Sequence, residues 1–127
     1  MAFSRQGLVL QLKYEGFSTA DAEFGTNSTN ANWSQQALSK AKSYLKNQAF
    51  SYKGLISQLT SNAEQFTDGQ AIYAVANCGA NWFEQAAKKA TSYQKIFSFS
   101  RSQMIDQLIF DGYTQEQADY GATRVGL

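Results

Sequence analysis

The sequence predicts an all-α protein: tandem repeats of three short helices, helix-turn-helix-like units packed into one compact or slightly elongated body. Three observations carry that expectation. One ordered set of motifs recurs along 127 residues, the signature of a repeat architecture. The apolar residues inside each motif fall at helical spacing. There is no proline, so nothing in the chain interrupts a helix.

The first motif reads Phe-Ser, three variable residues, two large apolar residues, one variable residue, then Gln-Leu. It occurs from Phe3 to Leu12, from Phe50 to Leu59 and from Phe99 to Leu108, the copies starting 47 and 49 residues apart. A second motif follows each copy, from Phe17 to Phe24, Phe66 to Tyr73 and Tyr113 to Tyr120. A third motif occurs twice, as Asn32-Trp33-Ser34-Gln35-Gln36-Ala37 and Asn81-Trp82-Phe83-Glu84-Gln85-Ala86. With these motifs lettered b, c and a, the order is bc-abc-abc. The chain divides into a partial first repeat, 1–32, lacking helix a, a second repeat, 33–81, and a third, 82–127.

Each motif starts as a helix should. Ser18, Thr67 and Thr114 can accept a backbone N–H as N-caps, and Asp21, Gln70 and Gln117 stand three residues on, where a side chain can reach back. Asn32 with Gln35, Asn81 with Glu84 and Ser100 with Gln103 are related pairs. Phe17, Phe66 and Tyr113 precede the caps and can staple onto Ala22, Ala71 and Ala118. Helix b ends at Gly16 and Gly112 in the first and third copies, where a left-handed residue closes a helix. The middle copy has two extra residues and no glycine between Ser61 and Gln65, which predicts a longer loop.

The stripes are helical too. Leu8, Val9 and Leu12 match Leu55, Ile56 and Leu59, and Trp33, Ala37, Ala41, Tyr44 and Leu45 share one face. In helix c, Ala71 and Ala74 correspond to Ala22 with Gly25 and to Ala118 with Gly121, small residues that let another helix approach closely. Helices of this length are marginal alone, so packing between them supplies the stability.

Composition narrows the function. Hydrophobic residues make up 43%, enough for a core at this length. Charged residues make up only 17%, their place taken by Ser, Thr, Asn and Gln, and the net charge of +1 is too small for a binder driven by phosphate attraction. Absence of histidine removes the commonest general base and metal ligand. A single cysteine, Cys78, excludes an intrachain disulfide and a thiolate zinc cluster. The acids are scattered without a paired arrangement for acid–base catalysis. A non-enzymatic module with no cofactor and no metal is expected. No apolar run approaches the roughly 20 residues of a membrane span, and no signal sequence precedes Phe3.

The three-helix pattern resembles the Ltp family, the host cell surface-exposed lipoprotein repeat of Gram-positive bacteria and their phages. The resemblance rests on Gln36-Ala37-Leu38 with Ala41-Lys42-Ser43-Tyr44-Leu45, on Phe50-Ser51 with Gly54-Leu55-Ile56 and Gln58-Leu59, and on Phe66-Thr67 with Gln70-Ala71 and Tyr73-Ala74-Val75. Asn77 and Asn81-Trp82 fit as well, and the likeness runs from about residue 3 to residue 127. It implies all-α repeats and a non-catalytic role at the outer face of a bacterial membrane, where some members block phage DNA passage and so exclude superinfecting phage. It also implies a protein partner, such as a phage DNA-injection component. The family's lipid-bearing cysteine has no counterpart here, so membrane contact is expected only through an anchor outside these residues. The resemblance thus implies the extracellular face if such an anchor was removed, and the cytoplasm if Met1 is the native start. Asn32 and Asn81 stand where the family has an acidic residue before the tryptophan.

Individual residues divide between packing and binding. Cys78 reads as a small buried hydrophobe, since its neighbours offer no base. Trp33 and Trp82 recur at one repeat position, which favours packing between repeats. Helix a is basic through Lys40, Lys42, Lys46, Lys88, Lys89 and Lys95, but helix c opens without Lys or Arg, so a helix-turn-helix reader of nucleic acid is a third choice behind a binding module and a self-associating repeat protein. Positions that are apolar in one repeat and polar in another are not needed by the fold. Leu10 aligns with Ser57 and Asp106, Ile72 with Glu23 and Asp119, Phe83 with Ser34, and Ile96 and Phe97 with Asn47 and Gln48. Leu10, Ile72, Phe83, Ile96 and Phe97 are therefore the candidate partner-binding residues, for a protein or for another copy of the chain.

Overall fold

The computed structural model describes residues 3–27 and 32–127. The described residues form eight α-helices and no strand: α1 (Arg5–Tyr14), α2 (Thr19–Asn27), α3 (Trp33–Asn47), α4 (Tyr52–Leu59), α5 (Asp68–Asn77), α6 (Trp82–Gln94), α7 (Arg101–Phe110) and α8 (Gln115–Arg124). The motifs map onto them in order, with b as α1, α4 and α7, c as α2, α5 and α8, and a as α3 and α6. The fold class is all-α, in tandem helical units.

The starts follow the sequence. Thr67, Ser100 and Thr114 each complete a reciprocal box with the glutamine three residues on. Ser18 accepts from the Asp21 N–H at 3.1 Å, and Asn32 from the Gln35 N–H at 3.1 Å. Asn81 accepts from the N–H groups of Phe83 and Glu84. Glu84 does not reach back to complete that box, because its carboxylate is held by Tyr120 and Arg124 instead.

The ends explain the spacing of the repeats. Gly16 and Gly112 adopt φ of +103° and +105°, and the next amide closes the helix: Phe17 N–H donates to the Leu12 carbonyl, and Tyr113 N–H to that of Leu108, both at 3.1 Å. In the middle copy the loop is longer by two residues, yet it ends in the same bond, Phe66 N–H to the Leu59 carbonyl at 3.0 Å. Gln65 takes the left-handed position there at φ +58°, a conformation that a non-glycine residue holds at some cost.

Two compact units result, one of Met1–Ser43 with Ile56–Cys78 and one of Tyr44–Leu55 with Gly79–Leu127. Their boundaries cut through α3 and α4. In the first unit Ser4, the N-cap of α1, accepts from the Gly7 N–H and donates its hydroxyl to the Glu64 carbonyl. The second unit holds the same joint one repeat later: Ser51 caps α4 by accepting from Gly54 N–H at 2.9 Å and donates to the Asp111 carbonyl at 2.6 Å. Both serines are buried. A Cβ on Gly7 or Gly54 would already lie 3.6 or 3.5 Å from the carbonyl of that turn, so a longer side chain would strike it. The third repeat has Gln103 at this position. Its side chain caps the Ser100 N–H at 2.9 Å, and Ser100 is exposed.

The core of the second unit is built from Ala86 and Ala90 of α6, Met104 and Leu108 of α7, Tyr113, and Ala118 and Ala122 of α8. Small residues bring α6 and α8 together: a Cβ on Gly121 would sit 2.9 Å from the Ala86 carbonyl oxygen. The surroundings of its first-repeat counterpart, Gly25, lie outside the described residues. Trp82 packs edge-to-face on Tyr52 at 5.6 Å, a contact of helix a with the preceding repeat's helix b. In the first unit Ala22, Leu59, Phe66, Ala71, Ala74 and Val75 are buried, and Gln35 of α3 donates to the Tyr73 hydroxyl of α5 at 2.9 Å. The expected staple is buried at Phe66 and Tyr113, each 3% exposed, but not at Phe17, which is 51% exposed. In the third repeat that aromatic hydrogen-bonds to helix a, Tyr113 to the Gln85 carbonyl at 3.2 Å.

Candidate functional site

No group of His, Cys, Asp or Glu among the described residues could hold a metal ion, and no pocket opens among them. No described helix is long and apolar enough to cross a membrane. The candidate site is therefore sought among exposed side chains on the helices.

Leu10, Ile72, Phe83, Ile96 and Phe97 are all exposed. They are divided between the two units. Leu10 and Ile72 belong to the first unit, Leu10 on α1 and Ile72 on α5 beside Tyr73. The other three belong to the second. Phe83 sits in the first turn of α6, while Ile96 and Phe97 follow its last turn. Thirteen residues of helix separate the two ends, about 20 Å at 1.5 Å per residue.

Around Phe83 the surface is tied down. Its ring meets Tyr120 edge-to-face at 5.6 Å. The Tyr120 hydroxyl donates to Glu84 Oε1 at 2.5 Å, Arg124 donates to the same oxygen at 2.7 Å, and the Arg124 guanidinium lies over the Tyr120 ring. The Tyr120 hydrogen bond, reinforced by Arg124, holds the Glu84 carboxyl below the usual carboxylate range. Phe83 is thus fixed on α6 by α8, a rigid apolar point beside an ion pair.

At the other end of α6, Tyr93 stands between rings and a carboxylate. Phe97 and Phe99 stack at 5.1 Å with 17° between planes, and both lie against Tyr93. The Tyr93 hydroxyl donates to Asp111 at 2.5 Å, and Gln107 donates to Asp111 at 3.2 Å. Burial, then the neighbouring Asp111 carboxylate, pushes the Tyr93 hydroxyl up to about 12. Burial also raises Tyr113 well above the ordinary phenol range. Beyond this aromatic seat Ile96 projects at 74% exposure.

Comparison between repeats missed two exposed rings it could have found. Tyr14 and Phe110 are 88% and 85% exposed, and both align with Ser61, the same apolar-against-polar mismatch that marks the other five. One expectation is corrected. Cys78 is half-buried rather than buried: it caps the C-terminus of α5, where its thiol donates to the Val75 carbonyl at 3.3 Å. Asn32 and Asn81 serve as helix caps, a task asparagine performs as well as aspartate. The helix c starts carry Asp21, Asp68 and Glu116 in their first turns, which repels a phosphate backbone.

Among curated proteins nothing matches significantly. Among solved structures, the chain is similar to Ltp, a superinfection exclusion protein from the Streptococcus thermophilus temperate phage TP-J34, at 40% identity and a TM-score of 0.67, over 71% of this chain and 92% of that one. The model of the host cell surface-exposed lipoprotein family matches twice, over residues 32–78 and 81–125. Those two matches each span one a-b-c set of helices, and on that footing the chain belongs to the host cell surface-exposed lipoprotein (Ltp) family.

Proposed function

We propose that this chain is a superinfection-exclusion module. It acts at the outer face of the host cell's membrane, without catalysis, by holding a rigid helical surface against a protein component of an incoming phage's DNA-injection machinery. The observation that carries the reading is the 40% identity to a superinfection exclusion protein, spread over 92% of that protein's chain. The architecture supports it. Short capped helices with buried alanine seams present fixed side chains, and rigid presentation lowers the entropic cost of binding.

Leu10, Ile72 and Phe83 are the partner-binding side chains in this reading. Each is exposed, and each replaces a polar residue that another repeat tolerates at the same position. Phe83 is the best anchor, because Tyr120 and the Glu84–Arg124 pair immobilise it before any partner arrives. The test is to display the chain on susceptible cells and measure phage adsorption and DNA delivery separately. Adsorption should be normal while delivery fails. F83S, which restores the residue of the second repeat, should return plaque formation by at least about tenfold. Unchanged DNA delivery into cells displaying the wild-type chain would refute the reading.

A further inference from the structure

We infer that the α6–α7 connection is a membrane-surface contact, in which Ile96 and Phe97 enter the boundary between headgroups and acyl chains of an anionic bilayer. The inference goes beyond protein binding and uses different residues from those just assigned to it.

The first observation is exposure without a structural reason. Ile96 is 74% exposed and Phe97 50%. The same two positions of the second repeat, after the same helix a, hold Asn47 and Gln48, which are exposed as well. The fold therefore closes helix a with polar residues here just as readily. Part of the Phe97 ring is spent on Phe99 and Tyr93, but its other half and most of Ile96 stay in water, where apolar surface favours an apolar environment.

The second observation is charge. Between Glu84 and Asp106 the chain carries Lys88, Lys89, Lys95 and Arg101 and no carboxylate. Lys88, Lys95 and Arg101 are exposed, and Lys89 lies over the Tyr93 ring at 5.6 Å. Asp111, the carboxylate that touches the aromatic seat, is occupied by Tyr93 and Gln107, and Arg101 donates to the Thr123 hydroxyl and to the Leu127 main-chain oxygen. An apolar tip flanked in the chain by cations is the pattern of an interfacial anchor, the apolar part reaching the acyl boundary and the cations the anionic headgroups. Phe99, stacked beneath Phe97, gives the tip a firm base. A protein groove would have to match those cations with carboxylates in register; an anionic bilayer supplies the charge without register.

The test uses the full chain and vesicles of phosphatidylcholine, with or without one-third phosphatidylglycerol, in a co-sedimentation assay. Wild type should bind the anionic vesicles, release as salt rises, and bind pure phosphatidylcholine far less. The double variant I96N/F97Q, which installs the residues of the second repeat, should keep its helical circular dichroism and lose about tenfold or more in affinity, about the contribution of one partly buried apolar side chain. K95E, an independent change at an exposed position, should weaken binding to anionic vesicles and leave that to phosphatidylcholine as it is. I72E should leave vesicle binding unchanged while reducing phage exclusion, which separates the two readings. Failure of wild type to bind anionic vesicles would overturn the inference. So would equal binding by I96N/F97Q, or light scattering in which the double variant loses a self-association present in wild type.

Discussion

Gly69 and Gly121 both lie in c helices, and the same substitution at the two should act in opposite directions. Alanine is favoured over glycine in a helix interior by about 1 kcal/mol, less in the first turn. At Gly69, in the first turn of α5, an added Cβ meets nothing within 4 Å. G69A should therefore stabilise the protein by about 0.5 kcal/mol. At Gly121 the same Cβ would stand 2.9 Å from the Ala86 carbonyl oxygen, 3.0 Å from its carbon and 3.2 Å from Leu108 Cδ1. Reaching ordinary contact near 3.4 Å requires α8 to retreat from α6 by roughly half an ångström. The obstacle is backbone in the middle of a helix and cannot rotate aside. The retreat would also loosen Ala86, Ala90, Ala118 and Ala122, all fully buried along the seam. Overpacking of this kind costs about 1–3 kcal/mol, and a backbone obstacle places it at the upper end. After the propensity gain, G121A should lose about 2 kcal/mol, a fall of roughly 8 °C in Tm for a chain of this size. Urea and thermal unfolding followed by far-ultraviolet circular dichroism would measure both variants. Equal stabilisation by the two would refute the claim that close helix approach, rather than local propensity, requires Gly121.

Three further outcomes follow from the repeats and from the tyrosines. L59A and L108A remove fully buried leucines and should each cost about 3 kcal/mol, whereas L12A, at the same repeat position but half-exposed, should cost about 1 kcal/mol in urea unfolding. S51A deletes the hydroxyl that both caps α4 and bonds the Asp111 carbonyl and should cost about 2 kcal/mol, while S100A, at the exposed cap without that second bond, should cost about 1 kcal/mol. Tyr93 is raised from 10 to about 12, so its contribution is intact below pH 10 and is lost as pH rises towards 12. The urea midpoint should fall across that interval, and Y93F should flatten the fall; a fall of the same steepness in Y93F would show that Tyr93 is not its source.

Much of this fold was legible because each local signal agreed with the repeat. The capping pairs, the closing glycines and the alanine positions of helix c each occur in more than one copy, so a weak motif in one place was checked by its counterparts. The middle b–c turn shows why agreement of pattern can survive a change of chemistry: two extra residues and Gln65 deliver the Phe66 amide to the Leu59 carbonyl as Gly16 and Gly112 deliver theirs. What could not be read were interactions joining residues far apart in the chain. Ser4 and Ser51 look like ordinary N-caps in the sequence, and nothing local says that their hydroxyls also bond carbonyls 60 residues away. Glu84 looked like half of a capping box, and its capture by Tyr120 and Arg124 was decided by α8.

The candidate surface was legible for a different reason. Within a repeat array the fold sets a floor of what each position must be, and a residue more apolar than its counterparts exceeds that floor. The comparison found Leu10, Ile72, Phe83, Ile96 and Phe97, and the structure leaves every one of them in contact with solvent. It could not say which of them share a surface, because that depends on where helix a begins and ends: Phe83 and Ile96 are near in sequence and a full helix apart in space. The two ends of α6 differ chemically as well. Phe83 lies against Tyr120 beside the Glu84–Arg124 ion pair, whereas Ile96 and Phe97 lie on a stretch whose charged residues, from Lys88 to Arg101, are all cations. One helix therefore presents an apolar side chain tied to an ion pair at its start and an apolar tip with cationic neighbours in the chain at its end, and the two proposals divide on that difference. Ser34 at the start of α3, and Asn47 and Gln48 at and just after its end, show that both were added to a helix that folds without them.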